Sequence, residues 1–518
     1  MHFPRKKCIF LRIYSQKVNT PFPLIFSWYR PSFFPKPFAI FPKICYNEGK
    51  PKNRGDDLLN RTTQIRDFTK GSIPRQLISF ATPLFLSNLL QIVYNMVDMM
   101  VVGSVLGKAG TSAVSVGGDV SNLLTFIAMG FSSAGQVIIA RLIGGGERKK
   151  LSRFVGTMVG FLALSALVMS GVGLLLQDTM LSLMKTPAEA YDGAVAYSSI
   201  CMAGLIFIYG YNITSAILRG MGDSKRPFIF ISIAAVLNLI LDLVFVAGLN
   251  MGAGGAALAT VISQAISVVI STTYLVRNRA KYELDLRPSD FVKWDSALLR
   301  DLVGLGVPMA IKTCSIQISK LFVNAFVNGY GVAVSAFSGI ANKIAGVSNL
   351  ISQSMNVAGS TMVGQNLAAG QFKRVKKIMA TITAITLAVS VSLSIAICLF
   401  PEAIFSVFTA EGDTDVLALV DGYLPIAVLM FMGSAFRSMM NSLLNGSGNH
   451  KVNFATAILD GIIMRIGLAV LFGLVLDMKH YGFWLGDALA GFTPFWIGLV
   501  FFLTGAWKKG AKVKAEEE

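Results

Sequence analysis

From residue 76 onward the chain alternates long apolar runs with short polar breaks. Each run is long enough to cross the roughly 30 Å hydrocarbon core of a bilayer as a helix that rises about 1.5 Å per residue. Several runs exceed 20 residues, which implies tilted helices. The pattern predicts twelve membrane-spanning helices, at residues 76–105, 112–142, 152–176, 193–218, 227–249, 253–277, 299–329, 333–366, 376–400, 417–444, 452–475 and 483–506.

The first of these runs contains a charge. Gln91, Tyr94 and Asp98 follow one another at i, i+3 and i+7, so they share one face of the helix. A carboxylate at this depth costs roughly 2.5–3.5 kcal/mol on insertion scales, and it normally faces the bundle interior or a water-filled cavity. We therefore expect this face to form the wall of a transport cavity. The alternative is a polar face that only packs against neighbouring helices.

Composition agrees with a helical membrane protein and excludes several other classes. Only 14 % of the residues are charged, against about 25 % in soluble domains. The net charge of +18 does not indicate nucleic-acid binding, because residues 1–70 alone hold 14 Lys/Arg against 4 Asp/Glu. The five cysteines lack any CxxC spacing and there are three histidines, so we expect neither a metal site nor a disulfide scaffold.

The remaining basic residues lie mostly in alternate short loops, such as Arg148–Lys150, Lys225–Arg226 and Lys373–Lys377. Lys and Arg are enriched in cytoplasmic loops. The bias predicts a multi-pass protein of the plasma (inner) membrane with both termini cytoplasmic. The charged tail, residues 508–518, would lie on the same side.

Residues 1–70 form a leader rich in Pro, Phe and basic residues. Proline at this density prevents a continuous helix. We expect the leader to be disordered, or to precede a true translation start near residues 59–61. A basic, aromatic segment that lies on an anionic membrane surface is the alternative.

The longest polar connection, Arg277 to Asp301, divides the chain into similar halves at an offset of about 225 residues. Pro83 matches Pro308, and the Gly220–Lys225 loop matches Gly446–Lys451. The predicted domains are therefore an N-terminal lobe at 71–280, a cytoplasmic linker at 281–300 and a C-terminal lobe at 301–507. Six spans per half keep both copies in one orientation, so a pseudo-twofold axis along the membrane normal relates them. Repeated halves with a substrate site between them are typical of secondary transporters.

These features together resemble the multidrug and toxic compound extrusion (MATE) family. The similarity rests on Tyr94–Asp98 with the following Gly103 and Gly107, on Leu218–Ser224 and on Asn238–Asp242. The resemblance covers about residues 72–506. It implies an all-α fold of two six-helix lobes around a central cavity. It also implies a secondary active efflux transporter, which exports amphipathic, often cationic drug-like compounds in exchange for H⁺ or Na⁺.

Within this family the chain resembles the DinF-like branch, whose coupling acids lie in the N-terminal lobe. By motif, the resemblance assigns cation or proton coupling to Asp98, Asn238, Asp242 and Thr260. It places Gln91, Tyr94 and Asn212 in the cavity wall. The NorM-like branch carries an acid in span seven, but here Lys312–Lys320 has no carboxylate. A C-lobe cation site of that type is therefore not expected.

The residues leave the coupling ion open. Two carboxylates in a desolvated cavity repel, so that one would hold a proton; alternatively, carboxylate, amide and hydroxyl oxygens could surround Na⁺. No other cofactor is expected, and no P-loop is present for ATP-driven transport. Beyond its substrate we expect membrane lipids as the only partners, and a functional monomer.

The main alternative is a flippase for lipid-linked saccharides or other lipids, from the same superfamily. Such a carrier would line its cavity with cations to hold a pyrophosphate head. The first lobe offers acids instead, and only the second offers lysines, among them Lys312 and Lys320. An enzyme would need a paired nucleophile and base or metal ligands, which the spans do not show. The roles of Asp460 and Arg465, an ion pair or contacts to different helices, remain open.

Overall fold

The computed structural model describes residues 63–408 and 414–508. Throughout this part of the chain the regular structure is helical. The first half contains six helices, which are α1 (Ile73–Gly144), α2 (Arg148–Leu183), α3 (Ala188–Ala203), α4 (Leu205–Gly220), α5 (Lys225–Asp242, extended by a π-helical turn, Leu243–Gly248) and α6 (Gly252–Arg277). Two short 3₁₀ turns, Arg279–Tyr282 and Pro288–Phe291, lie in the connection to the second half.

The second half starts with α7 (Ser296–Asn328), whose N-cap Asp295 accepts hydrogen bonds from the backbone N–H groups of Ala297 and Leu298. These bonds lower the pKa of Asp295. The helices that follow are α8 (Val332–Ala368), α9 (Phe372–Leu399), α10 (Pro401–Ser406), α11 (Thr414–Leu417), α12 (Val420–Ser447), α13 (His450–Ile458), α14 (Met464–Val470), α15 (Lys479–Ala490) and α16 (Thr493–Leu503). π-Helical turns at Leu459–Ile463 and Leu471–Val475 follow α13 and α14.

Helix α1 contains 72 residues, which at about 1.5 Å per residue is more than three times the thickness of a bilayer core. Its backbone leaves helical geometry at Gly107, with φ 64° and ψ −155°. Only glycine adopts such a conformation without strain. α1 is therefore two helices, a first arm at residues 73–106 and a second arm at 108–144, as the polar break at this point predicts.

Nine of the described helices are long and apolar enough to cross a membrane, or ten if α3 and α4, which meet at 49°, form one broken span. That count takes α1 once and does not include α8. The predicted total of twelve spans therefore stays a prediction.

The apolar core shows that the first helix of each half packs on the opposite half. The start of α1, with Leu77 and Phe80, is buried in a cluster with Met362 and Leu443 of the second half. The start of α7, with Leu302 and Leu305, is buried in the main cluster of the first half. The two halves are thus interlocked rather than merely side by side.

Residues 63–72, which we call the strap, cross from one half to the other before α1 begins. The backbone N–H of Arg66 donates to the carbonyl oxygen of Met221 in the first half (2.9 Å), and that of Phe68 donates to Oε1 of Gln365 in the second (2.9 Å). Phe68 is fully buried. The predicted leader boundary at residue 70 is therefore too late, because residues 63–70 pack against the helices. Residues 1–62 and the tail beyond residue 508 lie outside the described residues.

The strap and the basic loops gather at the same end of the bundle, which we call the basic end. Arg148 forms an ion pair with Glu283 of the linker (3.0 Å). Asp223, in the predicted loop motif, accepts a hydrogen bond from the hydroxyl of Tyr282 (2.9 Å). Burial and this carboxylate raise the pKa of Tyr282, so its hydroxyl stays protonated. The linker is thus fixed to the first half.

Candidate ion-coupling site and central cavity

Two acids from different helices meet in the first half. Asp98 lies on the first arm of α1 and Asp242 at the end of α5, and their carboxyl groups are in contact. Asp242 is fully buried and Asp98 half-buried. The structure therefore brings together the two carboxylates that the motifs indicate.

When both groups are deprotonated, three oxygens of this pair have no hydrogen-bond partner within the described part of the chain: Oδ1 of Asp98 and both carboxylate oxygens of Asp242. A deprotonated carboxylate only accepts hydrogen bonds, so two of them in contact repel each other. A proton on one carboxyl group, or a cation between the two, removes the repulsion. The geometry of the pair is compatible with either.

Beside the acids lies a small cavity of about 10 Å³, close to the room that one water needs. Tyr94, Asn238 and Thr260 line it. Nδ2 of Asn238 donates to Oγ1 of Thr260 (3.4 Å). Three of the predicted site residues, from α1, α5 and α6, thus share one cavity.

The sequence reasoning missed several neighbours of this site. Ser263 and Gln264 of α6 also line the small cavity. Tyr197 and Cys201 of α3 lie close enough to Asp98 to interact with it electrostatically. Their spacing of four residues puts both on one helix face, but nothing in the sequence says which helix that face meets.

Two residues that were predicted for the cavity wall lie outside the small cavity. Gln91 and Asn212 are both half-buried, and neither lines the small cavity. Nδ2 of Asn212 donates to the carbonyl oxygen of Ile208 in its own helix (2.9 Å). The structure assigns Asn212 a local hydrogen bond in α4.

The second half contains a buried ion cluster of its own. Arg465 forms ion pairs with Asp460 (3.3 Å) and with Asp487. Of the two open interpretations of Asp460 and Arg465, the structure shows the ion pair. The sequence reasoning missed Asp487 because this residue of α15 lies 22 residues beyond Arg465 in the chain. Lys320 and Arg437 line a cavity of about 40 Å³ next to Arg465 and Asp487.

A central cavity of about 400 Å³ lies at the contact between the halves and has the size of a site for a small drug-like molecule. The second arm of α1 contributes apolar groups to it, with Phe126 and Met129. Helices α7 and α12 contribute the cations Lys312 and Arg437. The remaining polar lining is mostly amide and hydroxyl, from Ser133, Thr313, Gln317, Asn349, Ser352, Gln353, Asn356, Ser438, Asn441 and Asn445.

The fold and these internal polar sites define a polytopic helical transporter. The MatE family model matches residues 83–244 and 308–471, and the second match begins 225 residues after the first. The chain belongs to the MatE family, whose members are transporters and not enzymes. The predicted repeat offset agrees with this double match.

Relatives and solved structures agree over most of the chain. It is 26 % identical to "Probable multidrug resistance protein YpnP" of Bacillus subtilis (strain 168), over 85 % of this chain and 97 % of that protein. It is 29 % identical to "Probable multidrug resistance protein YoeA" of the same organism, over 85 % and 96 %.

A solved structure from Pyrococcus furiosus Vc1 (DSM3638), described as "Reverse polarity of binding pocket suggests different function of a MOP superfamily transporter", superposes with a TM-score of 0.77 at 21 % identity. It covers 87 % of this chain and 99 % of that one. The likeness confirms the all-α, multi-pass membrane fold.

Proposed function

We propose that this protein is a secondary active multidrug efflux transporter, which exports amphipathic compounds in exchange for H⁺ or Na⁺. The observation that carries the proposal is the contact between Asp98 and Asp242, with three unpartnered oxygens. The names of the two relatives, multidrug resistance proteins, support the substrate class. Asn238 and Thr260 would serve as neutral ligands beside the acids, and the coupling ion is the only cofactor required.

Alternating access follows from the repeat. The two lobes would rock about the central cavity, and the acid pair would load its ion on one side of the membrane and release it on the other. In this proposal the protein acts as a monomer in the plasma membrane, with both termini and the basic end cytoplasmic.

The test is uptake of a fluorescent amphipathic drug into inverted vesicles, driven by a pH gradient or by a Na⁺ gradient in turn. We expect one gradient to drive uptake, and we expect Asp98→Asn and Asp242→Asn each to abolish it, because an amide can neither release a proton nor balance a cation. Asp178→Asn, at an exposed acid of α2, is the matched control. Full uptake by either pair variant would refute coupling at this site.

The flippase remains a second candidate because Lys312 and Arg437 give the central cavity the positive charge that a phosphorylated lipid head requires. Complementation of a strain that lacks its lipid-linked saccharide flippase would favour it, whereas increased drug resistance without complementation would favour efflux.

A further inference from the structure

We propose that the central cavity binds amphipathic compounds with an anionic head, and that Lys312 and Arg437 hold this head. The inference rests on the proposed transport function and names the class of substrate. It departs from the cationic substrates that the family resemblance implies.

The first argument is that neither cation forms an ion pair with another described residue. Nζ of Lys312 donates to Oδ1 of Asn441 (2.6 Å), and Nε of Arg437 donates to the carbonyl oxygen of Gly491 (3.2 Å). Both partners are neutral, and the ion pairs found among the described residues include neither cation. A cation at membrane depth costs roughly 2.5–3.5 kcal/mol on insertion scales. A bound anion would neutralise two of them at once.

The second argument is the chemistry of the wall. Among the described residues that line the cavity there are two cations and no acid. Amide side chains both donate and accept hydrogen bonds, so they suit a polar or hydroxylated head. Phe126 and Met129 face the same space from the other lobe, and a polarisable methionine adapts to varied apolar groups. One wall thus fits an anionic head and the other fits an apolar body.

The third argument is the comparison between the two lobes. The matched loops Gly220–Lys225 and Gly446–Lys451 are 226 residues apart, so in this register Arg437 corresponds to Tyr211. A neutral tyrosine in the first lobe therefore corresponds to a cation in the second. The first lobe holds the acid pair, and the second holds four buried or half-buried cations, Lys312, Lys320, Arg437 and Arg465, against the acids Asp460 and Asp487. This division separates a site for the coupling cation from a site for an anionic substrate.

The experiment compares two ligands that differ only in the charge of the head. The purified full chain in lipid nanodiscs is titrated with 2-naphthalenesulfonate and with 2-naphthyltrimethylammonium. We expect the sulfonate to bind at least tenfold more tightly. Lys312→Gln and Arg437→Gln should each weaken sulfonate binding about tenfold and leave binding of the cation unchanged or stronger. Lys343→Gln, at an exposed lysine outside the cavity, is the control.

Further comparisons in the same binding experiment make the outcome specific. Lysophosphatidic acid, with a phosphate head on a lipid tail, tests whether the anion is a lipid: tighter binding than the sulfonate indicates a lipid substrate, and weaker binding a soluble one. Equal or tighter binding of the ammonium compound would overturn the proposal, as would sulfonate binding that is insensitive to both variants. Equilibrium binding does not depend on an ion gradient. If the sulfonate binds but no gradient drives uptake, the proposed coupled transport is rejected and the proposed anion-binding cavity is not.

Discussion

At the scale of single residues, the acid pair is costly to the fold. Two carboxyl groups in contact, with three oxygens unpartnered among the described residues, are not what a helix bundle needs for stability. A buried polar group without a partner costs about 1–3 kcal/mol, and more if it is charged. Groups that a protein keeps at such a cost are usually functional.

We therefore predict that Asp242→Asn is not destabilising. The amide removes the like-charge contact and keeps the shape, so the free energy of unfolding should stay the same or rise by on the order of 1 kcal/mol. Thermal unfolding in detergent, with Asp178→Asn as the matched acid-to-amide control, measures this. A clearly lower melting temperature would show that Asp242 is structural.

The ion cluster of the second half predicts the opposite response. Arg465 lies between two acids, and its removal would leave both carboxylates without this partner in a buried site. Arg465→Met should therefore lower the free energy of unfolding by about 3–5 kcal/mol. The triple variant that adds Asp460→Asn and Asp487→Asn should recover most of the loss, because neither position then holds a carboxylate that lacks Arg465. Chemical unfolding of the two variants checks both statements; no recovery would contradict the electrostatic explanation.

At this scale the sequence predicts some site residues and not others. The family resemblance assigns Asp98, Asn238, Asp242 and Thr260 to one site. The structure places Asp98 against Asp242 and Asn238 within hydrogen-bond distance of Thr260, and their role in coupling stays a prediction. The partnership of Arg465 with Asp487 depends on how two helices pack, and no local pattern encodes that. Lys312 can be seen in the sequence as a charge inside a span, but only the packing shows that it faces the central cavity together with Arg437.

At the scale of elements, the strap is the feature that local patterns missed. Arg374 of α9 donates through Nε to the carbonyl oxygen of Phe68 (2.9 Å) and through its other nitrogens to Lys70, Gly71 and Gln76 (2.9–3.0 Å). The strap also bonds to Met221 of the first lobe. It thus ties both lobes together at the basic end, although its sequence reads as part of a polar leader.

We predict that Phe68→Ala loosens this tie. Phe68 is fully buried in the cluster of the second half, and truncating a buried Phe costs about 3–5 kcal/mol. One measurement is thermal unfolding. The other is the rate at which a thiol reagent labels a cysteine that replaces Gln365, a residue that the strap covers. Faster labelling is expected. Lys70→Ala, at an exposed side chain, is the control, and labelling equal to that control would refute the prediction.

Some helix boundaries in the first lobe, by contrast, are close to those predicted from the sequence, whereas the predicted continuous spans 193–218 and 483–506 are each broken into two helices. The predicted spans at 227–249 and 253–277 correspond to α5 with its π-helical turn, 225–248, and to α6, 252–277. The polar break before residue 112 corresponds to the backbone break at Gly107. Hydrophobic runs and glycine set these boundaries locally. The packing of α1 and α7 on the opposite lobes is a long-range property, which the repeat alone does not predict.

At the scale of the whole molecule, the lobes are in close contact toward the basic end. Nε2 of Gln136, on the second arm of α1, donates to Oγ1 of Thr361 in α8 (2.7 Å). Nε of Arg219 donates a hydrogen bond to Oε1 of the same glutamine (2.8 Å). At Gly144 the two helices are so close that a Cβ would overlap the backbone of Gln365. Glycine permits this contact, and the proposed alternating access requires that it opens.

We therefore predict that Gly144→Val holds the basic end open. The added side chain cannot fit against the Gln365 backbone, so the lobes should separate there while each keeps its own core. Spin labels at the exposed Lys149 and Lys373, one in each lobe, should show a longer distance than in the unsubstituted protein. Drug transport should fall to background, since one of the two states is lost. Gly171→Val, at a glycine of α2 with no atom near the added carbon, should change neither readout. An unchanged distance in Gly144→Val would mean that this contact does not close the transporter.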